Sequence, residues 1–197
     1  DSLRLVSEEQ KHELKNPDLI RKAQVIPIPL ELPKLILPSR DLSLGFVGRM
    51  HAERGLQEWV NIARNVYSKR FIGSVSLAGD GPDKERFLDD LSKIKGLKIL
   101  NCGYVNNWEI DKALSQMRIL LSTAPSETYG MTIREGLASG LIVIAKKNST
   151  TIRLEQETKG LLRTYESVTE AANLIEQNID LIQDQNLVEE YRSVLLN

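Results

Sequence analysis

The stretch STAPSETYGMTIREGLASGLIVIA, residues 122–145, carries the densest signal in this chain. It reads as the end of a strand, a polar loop, a glycine turn at Gly130, a helix over 130–139 closed by Gly140, and the apolar strand LIVIA at 141–145. A strand without polar alternation is buried on both faces, as in a parallel sheet covered by helices on either side. The turn ahead of the helix gathers backbone N–H groups and the positive end of a helix dipole, the setting a diphosphate needs. Two carboxylates, Glu127 and Glu135, stand eight positions apart around it.

The same rhythm extends outward. Strands are expected at 44–48, 74–78, 97–100 and 118–122, with a short sixth near 160–162. Helices are expected at 55–68, with Leu56, Trp59, Val60, Ala63 and Val66 on one face, and at 83–94, 107–116, 167–180 and 185–195. Strands and helices alternating through short loops predict an α/β fold, a doubly wound parallel sheet of about six strands. The loops after Val47, Ala78, Leu100, Leu121 and Ala145 then share one edge, where such sheets bind ligands. Ahead of this unit, 1–22 reads as a strand at 3–6 and a helix from Ser7, whose spacing to Gln10 fits a capping box. Pro27, Pro29, Pro33 and Pro38 mark 23–40 as an extended linker.

Composition narrows the function. With 197 residues and 41% hydrophobic side chains, the chain can bury one domain plus appendages. Asp1 is not an initiating Met, so a piece of a longer protein or a processed product is expected. Lys and Arg number 26 against 27 Asp and Glu, and no basic tract invites nucleic acid. One cysteine, Cys102, excludes an internal disulfide, points to a reducing, cytoplasmic compartment and reads as a small core residue. Two histidines make a zinc site a poor expectation. No run approaches the roughly 20 apolar residues that span a bilayer, although other parts of the protein could rest on a membrane surface.

Several side chains on the binding edge have the right chemistry. Arg49 follows Gly48 at a strand end, where a phosphate can approach the backbone, and Arg54 supplies a second cation; the plainer alternative is two solvated arginines. Glu135 sits in an apolar helix and calls for a partner: a ribose diol, or an ion pair with Arg134 or Lys146. Glu127 suits the hydroxyls of a sugar, or caps the helix of 130–139. A nucleotide-sugar would use all of these groups. A glycosidase pair is the rival, but eight helical steps would separate the carboxylates by ~12 Å, beyond the roughly 5–9.5 Å such a pair needs. Gly79-Asp80-Gly81 shapes the phosphate edge or is simply a tight turn. Neither GxGxxG in its usual place nor GxxxxGK[ST] is present.

In order, FVGRMHAERG (46–55), SLAGDGP (76–82), CGYV (102–105) and PSETYGMTIREGLASGLIVIA (125–145) resemble the C-terminal donor-binding domain of glycosyltransferase family 4. These are retaining enzymes of the GT-B fold, of which this sheet would be the Rossmann-like half. The resemblance covers about 24–180 and implies roles. Arg49 and Arg54 would hold the donor diphosphate, Glu135 the ribose and Glu127 the transferred hexose. Backbone at Gly48, Gly130, Met131 and Thr132 would meet sugar or phosphate, and backbone at Tyr104 and Val105 would lie beside the base. No metal or cofactor is expected. Residues 1–22 would be the tail of an N-terminal acceptor domain, 41–183 the donor-binding domain and 184–197 a C-terminal helix. The acceptor, a sugar or lipid-linked hydroxyl in polysaccharide or glycolipid synthesis, would sit on that other domain, leaving the isolated chain inactive. A non-catalytic nucleotide-sugar subunit, an epimerase or a phosphorylase are the alternatives. Two departures stand out: Arg54 replaces the usual lysine, and KKNSTT (146–151) replaces a glycine-rich loop.

Overall fold

The computed structural model describes residues 2–6, 8–26, 28, 32–35, 43–179 and 185–195. In chain order the elements are β1 (Leu3–Leu5), α1 (Glu8–Glu13), α2 (Pro17–Lys22), β2 (Ala23–Val25), β3 (Ser43–Val47), α3 (Leu56–Ser68), β4 (Ser74–Ala78), α4 (Lys84–Ser92) and β5 (Lys98–Gly103). They continue with α5 (Ile110–Leu114), β6 (Ile119–Ser122), α6 (Met131–Ala138), β7 (Ile142–Lys146), α7 (Ser149–Glu157), β8 (Leu162–Tyr165), α8 (Val168–Asn178) and α9 (Gln185–Leu195). Short 3-10 turns occupy Ala52–Arg54 and Asn107–Glu109.

Six strands form one parallel sheet in the order β5-β4-β3-β6-β7-β8. The chain starts in the middle, winds outward to β5, then returns to β6 on the other side of β3. Direction therefore reverses between β3 and β6, and the crevice beyond their carboxyl ends is where such folds bind ligands.

Period-2 alternation sorts the core. Ile119, Leu121, Ile142 and Ile144 face a layer with α3, α4 and α8, whereas Leu120, Val143 and Ala145 face one with α5, α6, α7 and α9. In the first layer Phe46, Trp59 and Phe87 meet edge to face, and Trp59 Nε1 donates to the Leu121 carbonyl at 3.2 Å. All five residues expected on the buried face of α3 are buried.

Three expectations need correction. Cys102 is exposed, because β5 is the edge strand and its residues Asn101 and Cys102 lack cover. The region after 146 is no mere loop: α7 starts at Ser149 through a capping box in which Asn148 and Thr151 exchange side-chain and backbone hydrogen bonds. β8 starts two residues later than the expected strand, since left-handed Lys159 and Gly160 are consumed in closing α7.

Near the start, β2 pairs in parallel with β1, so the segment expected as linker from 23 opens with a strand. Pro27, Pro29 and Pro38, and the capping box expected at Ser7, lie outside the described residues. Among the described residues no helix is long and apolar enough to cross a membrane.

Candidate functional site

Every strand of the large sheet ends on the same edge, so the loops named from sequence converge. The loops after β3, β4 and β5 and the start of α6 enclose a cavity of 630 Å³. Gly48, Arg49, Tyr104, Val105, Met131, Thr132 and Glu135 all line it, as do Asp80 and Ile110. A smaller recess of 30 Å³ adjoins it, sharing Val47, Gly48 and Thr132 and adding Arg54 and Glu127. The expected site residues thus fall into two neighbouring compartments, with Gly130 at the turn between Glu127 and α6.

Glycines let these loops approach each other. Gly79 has φ 141°, and a Cβ there would overlap the carbonyl of Gly48. Its N–H donates to the Gly103 carbonyl at 2.7 Å while Gly48 N–H donates to Ala78, joining three strand ends into one floor. Gly130, at φ 74°, is the N-cap of α6 and supplies no side-chain cap. Met131 and Thr132, the first residues of α6, line the cavity, and the start of this helix has no capping side-chain oxygen, unlike α7 and α8, which Asn148 and Ser167 cap. That leaves donors and a positive dipole end for an anion.

Glu135 is half-buried, and burial alone pushes its carboxyl up to about 7. The ion pairs that sequence left open do not form. Arg134 turns to the opposite side, where Nε donates to the Tyr129 carbonyl at 3.0 Å and the guanidinium lies over the Tyr129 ring. Lys146 pairs with Glu58 at 2.9 Å and with the Glu166 carbonyl. Among the described residues no cation pairs with Glu135, and a carboxyl in that setting is suited to hydroxyl donors from a ligand.

The two arginines carry carboxylate partners. Arg49 Nη2 lies 3.1 Å from Glu53 Oε2, on the surface, a pairing weak enough for phosphate to displace. Arg54 Nη1 lies 2.8 Å from Glu127 Oε2, with Glu127 14% exposed. Glu127 does not cap α6; its other oxygen accepts from the Thr128 N–H at 3.2 Å. Asp80 is held below the usual carboxylate range by the Gly81 N–H and by Lys84, which places one ionised carboxylate in the cavity wall.

Sequence reasoning missed three groups. Glu53 was detectable as a carboxylate four residues after Arg49. Ile110 adds an apolar wall beside Tyr104 and Val105. Thr150, hidden in KKNSTT, donates to the carbonyl of Glu127 at 2.6 Å. Among the described residues no cluster of three metal-ligating side chains occurs.

Comparison with known proteins agrees with this fold. The family model described as Glycosyl transferases group 1 matches residues 41–184. The sulfoquinovosyl transferase of Arabidopsis thaliana is 29% identical over 102 residues, 51% of this chain and 18% of that protein. HepE of Anabaena, solved with UDP and glucose, superposes with a TM-score of 0.75 at 16% identity over 98% of this chain and 58% of its own. TarM of S. aureus, solved with UDP, gives 0.73 at 18% identity over 98% of this chain and 39% of its own. Sucrose-phosphate synthase of Thermosynechococcus elongatus gives 0.73 at 18% identity over 100% of this chain and 53% of its own. At such identities the structural likeness is one of fold. The chain spans 18% of the curated relative and 39% to 58% of these structures.

Proposed function

This chain belongs to the glycosyl transferases group 1 family, and from that footing we propose that it is the donor-binding part of a retaining glycosyltransferase. It holds a nucleotide-diphosphate hexose and presents the anomeric carbon to an acceptor hydroxyl carried by another domain. The observation that carries this reading is the 630 Å³ cavity at the switch point, with Glu135 in its wall and the uncapped start of α6 beside it.

Each residue then has a role. The base lies against Tyr104, Val105 and Ile110, and Glu135 accepts from the ribose hydroxyls. The diphosphate meets the amides of Met131 and Thr132 and the backbone of Gly48. Arg49 and Arg54 exchange their carboxylates for phosphate oxygens, and Glu127 takes hydroxyls of the hexose. As the acceptor oxygen bonds to the anomeric carbon, the bond to the diphosphate breaks, the hydroxyl proton passes to an oxygen of the departing diphosphate, and the remaining negative charge is met by the two arginines and the α6 dipole. We place the full protein in polysaccharide or glycolipid synthesis, in the cytoplasm or at its membrane surface.

Calorimetric titration of the chain with UDP, GDP and ADP tests the binding claim. Saturable binding of one of them is expected, and it should compete with the matching nucleotide-sugar. Absence of binding to all three rejects the reading.

A further inference from the structure

The carboxylate of Glu127 is met by Arg54 from the far side of the crevice. The backbone of its loop is held from the near side, at the start of α7 beside β6. Thr150 is completely buried, and its hydroxyl donates to the Glu127 carbonyl at 2.6 Å. Asn148, held by its capping box with Thr151, reaches from the same turn to the Ala124 carbonyl at 3.4 Å. The β6–α6 loop is therefore fastened near its beginning and at Glu127 itself. On the far side Arg134 holds the Tyr129 carbonyl.

We propose that Thr150 is the positioning residue of the sugar compartment: its buried hydroxyl fixes the backbone of Glu127 and thereby aims that carboxylate at the donor sugar. This rests on the reading of Glu127 as the hexose contact. It also accounts for KKNSTT. Where the family resemblance leads one to expect a glycine-rich loop, this chain uses hydroxyl and amide side chains to tie two strand ends together. A buried hydroxyl facing a carbonyl is costly to leave unpaired, so the contact holds the loop in one register. Thr150 touches no ligand in this account and acts only through Glu127.

The test uses Thr150→Val, which keeps shape and removes the hydroxyl, and Thr150→Ser, which keeps the hydroxyl. Amide hydrogen exchange across 126–130 reads the fastening without any ligand. Thr150→Val should exchange there about tenfold faster while the strands stay protected, and Thr150→Ser should stay within about twofold of the parent, since local opening is set by such contacts. Titration reads the consequence. Thr150→Val should weaken the nucleotide-sugar that matches the best-binding diphosphate among UDP, GDP and ADP about fivefold or more and leave that nucleoside diphosphate within about twofold, as expected for a group that acts at the sugar end alone. Unchanged exchange in Thr150→Val, no restoration by serine, or an equal loss for the nucleoside diphosphate and its nucleotide-sugar each overturns the proposal. Failure of the parent chain to bind UDP, GDP and ADP alike rejects the donor reading instead, while the exchange measurement still decides whether Thr150 holds the loop.

Discussion

Arg54 and Glu127, 73 positions apart in sequence, meet at 2.8 Å across the crevice between β3 and β6. Both residues line the smaller compartment of 30 Å³, so on the proposed reading a donor sugar has to part them. A double-mutant cycle with Arg54→Ala and Glu127→Ala, read by urea denaturation, should return a coupling of about 1 kcal/mol. A coupling indistinguishable from zero contradicts a pair that shapes the smaller compartment.

Glu135 makes stability depend on pH. Its folded value, about 7, lies above the ordinary 4.5, so the folded state keeps a proton that the unfolded state gives up. Its contribution is complete below about 4.5 and is lost as pH rises through 7, up to about 3 kcal/mol. Denaturation from pH 4.5 to 8 should show that decline in the parent chain and a flatter profile in Glu135→Gln. Equal profiles would mean the carboxyl is already ionised at low pH.

Gly79 leaves no room for a side chain. At φ 141°, with a Cβ that would overlap the Gly48 carbonyl, Gly79→Ala should cost about 3 kcal/mol and weaken nucleotide binding, because the floor of the cavity has to move. A variant with parental stability would show that the two loops are not packed as described.

The cap of α7 is measurable through stability as well as through the loop it helps to fasten. Asn148→Ala should lower stability by about 1 kcal/mol in denaturant titration, the ordinary worth of an N-cap, with helix content reduced in circular dichroism. No loss would argue against the helix that sequence reading passed over.

The legible parts were those governed by local pattern. The apolar runs of β6 and β7 and the one-sided stripe of α3 fix strand, helix and parallel sheet before any contact is known. Glu135 stood out because a carboxylate among Gly136, Leu137 and Ala138 is chemically conspicuous. What stayed hidden depended on distance or on weak propensity. α7 starts with Ser, Thr, Thr and Ile, residues that favour helices poorly, and its cap uses Thr151 where Glu or Gln is the usual signal. The Arg54 and Thr150 contacts to Glu127 join segments that sequence spacing cannot relate. Cys102 misled because a small apolar residue on a strand suggests the core unless the strand is known to be an edge.

The central claim is that Glu135 receives the ribose of a nucleotide in the 630 Å³ cavity. It is tested most directly by titrating the parent chain and Glu135→Ala with the nucleoside diphosphate that binds best and with its 2′-deoxy form. The account predicts that loss of the 2′-hydroxyl weakens the parent about tenfold and leaves Glu135→Ala nearly indifferent, the sign of a broken hydrogen bond between those two groups. The same deoxy penalty in both proteins, or none in the parent, would contradict it.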